Sequence, residues 1–372
     1  MREAIEIAKK GIYTASPNPS VGCVITEKEK IIARGFHKKP GSGHAEINAL
    51  RNLKNKINKN MTMYISLEPC CHQGRTGPCT EAIIESGIKK VIIAMLDPNP
   101  IVKGKGVKLL KKNGINVEVG VCKDEAKLIN KGYIKRIEKK LPYVTAKQAV
   151  SADFRISGNK NSWISNSLSR KDVQKLRAST CAILVGSNTV KKDNPYLTVR
   201  LNSKELSFNG KINNPIRIVL DTNLELDIRK YNFFKGPDKK IIFNSLSSST
   251  NEKKNIDYIK VKKDKNGLNL NSIFKILALK YEINNLLIEP GSLLLTSLIK
   301  KNLLDEFIIY KAPIIIGDKG LKSHNLNDKL YNNKVIQLDS VKIFGNDVRI
   351  KYKFWEKNVY WFNKKNWCCP RN

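Results

Sequence analysis

The period of the hydrophobic positions changes several times along the chain, and each change marks an element. Ala4, Ile5 and Ala8 fall at helical spacing, which predicts a helix over 2–10 ended by Gly11. The runs 21–25 and 31–36 are β-like with a charged turn between them, which predicts a hairpin. Helical spacing returns at Ile47, Leu50 and Leu53, with Ser42 placed to cap that helix. Next come a strand over 63–67, a helix begun by Pro78 and Cys79 and ended near Gly87, and a strand over 91–95. A helix over 106–113, a strand over 117–121 and a helix over 124–137 complete an alternation with short connections, the pattern of a layered α/β domain.

A charged stretch stopped by a proline, Glu138-Lys139-Lys140-Leu141-Pro142, sets a domain boundary, giving domains 1–141 and 142–355 and a tail 356–372 without clear period. The second domain reads as α/β again. Strands are expected at 143–150, 181–186, 216–221, 240–244 and 285–289, and helices at 168–179, 187–193, 270–281 and 291–300. A polar insert at 202–214 and a β-rich end at 306–353 complete it.

Composition changes this picture little. The 372 residues suffice for two cores, and 41% hydrophobic content marks a globular chain. No apolar run approaches the length of a membrane span, and the first residues lack a signal core, so a cytoplasmic protein is expected. The net charge of +35 comes from lysines spread over the whole chain without an interleaved aromatic ladder. That reads as solvated faces that attract phosphorylated small molecules, with no nucleic acid and no membrane as partner. The cysteines at 23, 70, 71, 79, 122, 181, 368 and 369 form no disulfide framework, in keeping with a reducing compartment.

Candidate chemistry concentrates in one stretch. His44-Ala45-Glu46 opens a helix, and Glu68-Pro69-Cys70-Cys71 leads through a loop to Pro78-Cys79. One imidazole and two spaced thiols suit a four-coordinate zinc ion with one position open to water. Glu46, two residues from the imidazole, is the candidate proton carrier, the arrangement of a zinc deaminase. Adjacent Cys70 and Cys71 can hardly both bind one tetrahedral ion. The Pro-Cys pair recurs at Cys70 and Cys79, so His44, Cys70 and Cys79 are the expected ligands. The Gly104-Lys105-Gly106 turn has Leu109 where a dinucleotide fingerprint needs glycine, and the second domain has no such fingerprint. Its one suggestive feature is Glu289-Pro290-Gly291-Ser292, a strand-to-helix turn able to hold a phosphate.

Ser16-Pro17-Asn18-Pro19-Ser20-Val21-Gly22-Cys23-Val24, His44-Ala45-Glu46, Glu68 through Cys79 and Asp97-Pro98-Asn99-Pro100 together resemble the bifunctional riboflavin-biosynthesis deaminase–reductases, over the chain to about residue 353. The resemblance implies a cytidine-deaminase-like layered domain followed by a dihydrofolate-reductase-like α/β domain. It implies zinc-dependent deamination of 2,5-diamino-6-(5-phosphoribosylamino)pyrimidin-4-one, then NADPH-dependent reduction of the ribosyl group to ribityl. The family carries Ser or Ala where Cys71 stands, and Asn18 matches a residue it uses near the pyrimidine. His37, Lys38, His72 and Arg75 are further candidates for ring or phosphate contacts. In the second domain the resemblance implies cofactor contacts at Ala149, Trp163, Thr189, Asp193, Thr222, Gly291 and Ser292. It implies substrate contacts at Asn161, Arg177, Leu197, Arg200 and Glu289, and a homo-oligomer is a further expectation.

The second half departs from the family pattern at Ser151-Ala152-Asp153-Phe154-Arg155, where Phe154 stands in place of glycine, and in a loop before Trp163 about two residues short. The rival reading from this departure is a deaminase with an impaired reductase half. The expectation is that reduction survives with Phe154 turned outward. A nucleic-acid base deaminase and a zinc-stapled binding module are the other rivals. The long cysteine spacer and the reductase-like half speak against the first, and Glu46 has no purpose in the second.

Overall fold

The computed structural model describes residues 1–54, 56–73, 77–157, 163–208, 210, 212–265, 267–326 and 336–354. The first elements in chain order are α1 (Arg2–Ala8), β1 (Gly22–Glu27), β2 (Lys30–Phe36), α2 (Ala45–Arg51), β3 (Met61–Ile65) and α3 (Cys79–Ser86). They continue with β4 (Lys90–Ile93), α4 (Lys105–Lys112), β5 (Asn116–Val119), α5 (Lys123–Ile129) and α6 (Lys131–Lys139). Then follow β6 (Tyr143–Val150), β7 (Arg155–Ser157), α7 (Ser167–Ala178), β8 (Ala182–Gly186), α8 (Ser187–Asp193), β9 (Ile216–Leu220) and β10 (Lys240–Asn244). Next are β11 (Ser249–Asn251), β12 (Ile256–Lys260), β13 (Lys263–Asp264), β14 (Gly267–Leu268), α9 (Leu270–Leu279) and β15 (Asn285–Ile288). The last are α10 (Ser292–Lys300), β16 (Glu306–Lys311), β17 (Leu321–Lys322), β18 (Ile336–Phe344) and β19 (Asp347–Phe354).

Packing divides the described residues into two compact units, residues 1–144 with 170–291, and residues 145–169 with those from 292 to 354. In the first unit, one sheet has the order β2-β1-β3-β4-β5, with β1 antiparallel to both neighbours and β3, β4 and β5 parallel. Cys23, Ile25, Met61, Met63, Ile65, Ile83, Val91 and Ile93 form a core on that sheet, fully shielded from water. Each such aliphatic side chain contributes roughly 1.5–3 kcal/mol. Helix α2 lies so close to β2 that a Cβ on Gly35 would meet the Ala45 carbonyl oxygen and the Ala49 nitrogen at 2.3 Å each. Only glycine permits that approach, and it sets the position of the helix that carries Glu46.

The same unit holds β12-β10-β9-β8-β15, all parallel where paired, with β11 antiparallel at the β12 edge. Ile183, Val185, Val219, Phe233, Ile242 and Leu287 make its core. The second unit carries β6-β16-β19-β18, in which β16 is parallel to β6 and antiparallel to β19. Strand β6 buries every second residue, the period of a strand covered on one face.

Most expected elements are present within a few residues. The expected helix over 124–137 is two helices, α5 and α6, which meet at Asn130. The Asn130 side chain turns back to bond the Ser20 backbone, so it serves a distant loop. Ser42 is not the cap of α2: its hydroxyl donates to the Lys39 carbonyl at 2.6 Å, and His44 is the capping residue. Strand β12 was not legible in the sequence, since its short run Ile256–Lys260 carries as much charge as apolar surface. The tail 356–372 lies outside the described residues.

Candidate active site

The His-Ala-Glu spacing acquires its meaning at the start of α2. His44 is extended (φ −69°, ψ 171°) as the capping residue, and its carbonyl accepts the first helical bond from Asn48. Its imidazole is thereby free to leave the helix axis, while Glu46 sits in the first turn, 3% exposed. Cys79 is the first residue of α3, and Pro78 caps it. Two helix starts therefore face one point, where unpaired N–H groups favour thiolates.

His44 Nδ1 lies 3.1 Å from Cys79 Sγ and 3.6 Å from Cys70 Sγ. The three ligand atoms lie within 4.8 Å of one another, the only such His/Cys/Asp/Glu set among the described residues, and Cys71 is not part of it. A tetrahedral zinc ion with ordinary bond lengths separates its nitrogen and sulfur ligands by about 3.6 Å. The Cys79 amide donates to Cys70 Sγ at 3.4 Å. The Cys79 thiol hydrogen bond pulls the Cys70 thiol down to about 4, with His44 adding to the effect. One imidazole nitrogen and two thiol sulfurs within reach of a single point make a donor set that fits zinc. Burial pushes the Glu46 carboxyl up to about 7. A carboxyl poised near neutrality beside the ligands suits proton transfer.

His37, 3% exposed, packs edge-on to His44 with ring centroids 5.1 Å apart. Its Nε2 accepts from Asn18 Nδ2 at 3.0 Å and its Nδ1 faces the Gly43 carbonyl at 3.4 Å. Burial lowers its pKa, followed by repulsion from His44, so the neutral tautomer is held. His37 therefore orients Asn18 and His44 and lies largely out of solvent. His72 is exposed, and Arg75 lies outside the described residues.

Glu68 belongs to the motif, yet the sequence assigned it no role. Its buried carboxylate accepts from the amides of Asp97 (3.2 Å), Gly104 (2.9 Å) and Val107 (3.1 Å). It thus satisfies the open amides at the start of α4 and pins the chain two residues before Cys70. Only the contact between distant segments reveals this.

In the first unit, Thr222, Glu289 and Gly291 follow the carboxyl ends of parallel strands, the edge where ligands bind in such sheets. Strands β8 and β15 are paired neighbours, so Gly186 and Glu289 leave the sheet on one edge. Thr222 follows β9 on that edge, with its carbonyl accepting from Ser245. Thr189 is half-buried on α8, and Asp193 ends that helix. A Cβ on Gly186 or Gly291 would meet nothing within 4 Å, so both strand-to-helix turns border open space that a dinucleotide phosphate can approach. Arg177 and Glu289, both expected to touch substrate, bind each other: Nε and NH2 lie 2.9 and 2.8 Å from one carboxylate oxygen. The Arg200 amide donates to Gln174 on α7, one turn before Arg177. The Leu197 side chain is 2% exposed and packs in the β8–β9 core, so any substrate contact there is made by backbone.

In the second unit, Ala149 lies on β6 opposite Tyr310, Trp163 is 72% exposed, and the buried Ser292 hydroxyl donates to the Lys322 carbonyl. Asn161 lies outside the described residues. Phe154 takes the left-handed conformation (φ +57°) that favours glycine. The ring is 45% exposed, with Lys311 Nζ 4.6 Å from its centroid.

Residues 142–350 match the RibD C-terminal domain family, and residues 1–95 match the cytidine and deoxycytidylate deaminase zinc-binding region. The riboflavin biosynthesis protein RibD of Buchnera aphidicola subsp. Baizongia pistaciae is 41% identical over 327 residues, covering 86% of this chain and 87% of its own. That of Aquifex aeolicus is 39% identical over 366 residues, covering 95% and 97%. Among solved structures, Acinetobacter baumannii RibD, form 2, superposes with a TM-score of 0.85 at 33% identity, covering 95% of this chain and 97% of that one. A diaminohydroxyphosphoribosylaminopyrimidine deaminase/5-amino-6-(5-phosphoribosylamino)uracil reductase from Thermotoga maritima gives 0.84 at 31% identity, covering 95% and 97%.

Proposed function

The chain belongs to the RibD family, the deaminase–reductases of riboflavin biosynthesis, and from that premise we propose how its own residues divide the two reactions. It is an enzyme with both activities, and its cofactors are zinc and NADPH. The proposed assignment gives residues 1–141 to the deaminase and 142–355 to the reductase, a division supported by where the two family matches lie.

In the deaminase, His44, Cys70 and Cys79 are the zinc ligands. When bound, zinc supplies the Lewis acidity that activates water toward the amino-bearing ring carbon. Glu46 accepts the water's proton and delivers it to the departing ammonia. Its burial next to the ligands keeps bulk water from competing for that proton. Asn18, held by His37, faces the pyrimidine. The substrate is 2,5-diamino-6-(5-phosphoribosylamino)pyrimidin-4-one, supported by the name of the Thermotoga maritima relative.

In the reductase, NADPH supplies the hydride that converts the ribosyl group to ribityl. Gly291 and Ser292 border its phosphates, and Ala149, Trp163, Thr189, Asp193 and Thr222 line the rest. Arg177 and Arg200 bind the sugar phosphate, with Glu289 holding the Arg177 fork in place. Asn161 and the Leu197 backbone complete that site.

One observation carries the reading: His44 Nδ1 stands 3.1 and 3.6 Å from two thiols, with the buried Glu46 carboxyl in the first turn of the same helix. Mass-spectrometric product analysis tests it. The diaminopyrimidinone should lose one amino group without NADPH and gain two hydrogens only when NADPH is added. Absence of the first mass change from zinc-loaded protein sinks the proposal.

No described helix is long and apolar enough to cross a membrane, and a cytoplasmic location is part of the proposal. So is a homo-oligomer: β18, at a sheet edge, exposes Leu338, Val341 and Ile343 by 54, 53 and 76%. Light scattering after gel filtration should give a multiple of the 42.1 kDa chain mass.

A further inference from the structure

The loop that presents Asn18 is fastened by one residue of the deaminase and one from outside it. The Pro17 carbonyl accepts two hydrogen bonds, from Arg136 NH2 at 3.2 Å and from Asn284 Nδ2 at 2.9 Å. Arg136 is on α6, whereas Asn284 immediately precedes β15 in the reductase half. Arg136 Nε donates to Asn284 Oδ1 at 2.6 Å, so the two donors brace each other. Asn284 is 4% exposed, and its carbonyl accepts from Tyr143 at 2.8 Å, which leaves it little freedom. A Cβ on Gly132 of α6 would lie 2.7 Å from the Asn284 carbonyl, so the sequence accommodates this approach with a glycine.

The chemical consequence falls on the next residue. A peptide unit is planar, so fixing the Pro17 C=O also fixes the direction of the Asn18 N–H and the position of its Cα. The Asn18 amide donates to Ala15, and its side chain reaches His37, which packs on His44. At the far end of the loop, Asn130 exchanges two hydrogen bonds with the Ser20 backbone at 2.8 and 2.9 Å. The loop is held at both ends, and the shorter of the two bonds to the Pro17 carbonyl comes from a residue just before a reductase strand.

We propose that Asn284, with Arg136, is a positioning residue for the deaminase: it orients Asn18 toward the pyrimidine through the Pro17 carbonyl. The proposal rests on the reading of Asn18 given above. It makes the deaminase dependent on a residue of the reductase half. Asn284 and Glu289 stand at opposite ends of β15, roughly 16 Å apart at ordinary strand rise, so the reductase site is not disturbed by a change at 284.

The test is Asn284→Asp in the full-length, zinc-loaded enzyme. The aspartate still accepts from Arg136, which favours folding, but places an oxygen against the Pro17 carbonyl. We expect deaminase kcat/KM to fall about 10-fold or more, mainly through KM, with zinc content unchanged and NADPH oxidation on the deaminated substrate within about two-fold of the parent. Parent-like deaminase kinetics in this variant overturn the proposal. If Asn284→Asp does not fold, Arg136→Lys replaces it. That variant keeps the charge near Glu282 but cannot reach both acceptors, and the same selective rise in KM is expected. Unchanged KM in Arg136→Lys likewise overturns the proposal. Asn18→Ala separates this inference from its premise. If Asn18→Ala leaves KM unchanged, the reading of Asn18 falls. If it raises KM while Asn284→Asp does not, only the inference drawn here falls.

Discussion

At the scale of single residues, the proposed deaminase site joins a buried carboxyl, Glu46, to the three-residue set His44, Cys70 and Cys79. Glu46→Gln preserves shape and removes the proton carrier. Deamination should drop by roughly 10²–10⁴ with zinc retained, measured by turnover and metal analysis on one preparation. Near-normal turnover would mean another group moves the proton. The thiols divide in the same way. Cys70→Ser or Cys79→Ser should release zinc, and Cys71→Ser should keep it, because Cys71 is outside the set within 4.8 Å. Zinc loss from Cys71→Ser with retention in Cys70→Ser would overturn the assignment.

At the scale of elements, two turns and one helix contact carry the predictions. Gly35→Ala forces a methyl group into the backbone of α2. It should destabilise the protein by about 1–3 kcal/mol and lower zinc occupancy, read by thermal unfolding and metal content. The turn from Ser151 to Arg155 has Phe154 in the left-handed region, which costs roughly 1–2 kcal/mol for a side chain with a Cβ. Phe154→Gly removes that cost and loses the Lys311 contact, worth about 0.5–1 kcal/mol. The melting temperature should rise slightly, and NADPH oxidation should be close to that of the parent.

Asp153 closes the same turn. The Ser151 hydroxyl, then the amides of Ile316 and Gly317, hold its carboxyl below the usual range. Because the folded value is depressed, its stabilisation is present above the ordinary carboxylate value of about 4 and is lost as pH falls through the folded value. Asp153→Asn should therefore melt below the parent near neutral pH, and the gap should shrink as the buffer is taken below pH 4. A gap that stays constant or widens in acid contradicts this account of the turn.

At the scale of the whole molecule, two chemistries share one chain and require different cofactors. A chelator that strips zinc should abolish deamination and leave NADPH oxidation on the deaminated substrate intact. Chelation should also lower the melting temperature, since a bound metal stabilises the folded state that assembles its ligands. Restored zinc should restore both. Loss of NADPH oxidation on chelation would show that the reductase half depends on the metal, which nothing in its geometry requires.

The sequence alone determined most of the element order and singled out His44, Cys70 and Cys79, which the fold brings together, while the reductase chemistry came from the family resemblance. The first two follow from local signals: hydrophobic period, proline and glycine punctuation, and residue types whose chemistry is narrow. His-x-Glu at a helix start is such a signal, because backbone geometry fixes which side chains can leave the axis together. Contacts between distant segments were decided only by tertiary structure. Glu68 as the anchor of the cysteine loop, Leu197 in the core and the pairing of Arg177 with Glu289 each join residues far apart in the chain. Phe154 shows the limit from the other side. Phe154 replaces a glycine, yet the turn places it at positive φ, where the hydrogen bonds to Ser151 and Asp153 outweigh the conformational preference of one residue. The grip of Arg136 and Asn284 on Pro17 had no periodic or motif signature, since a backbone carbonyl can be supplied by any residue type. Its selection of two donors arises only once the two halves are folded.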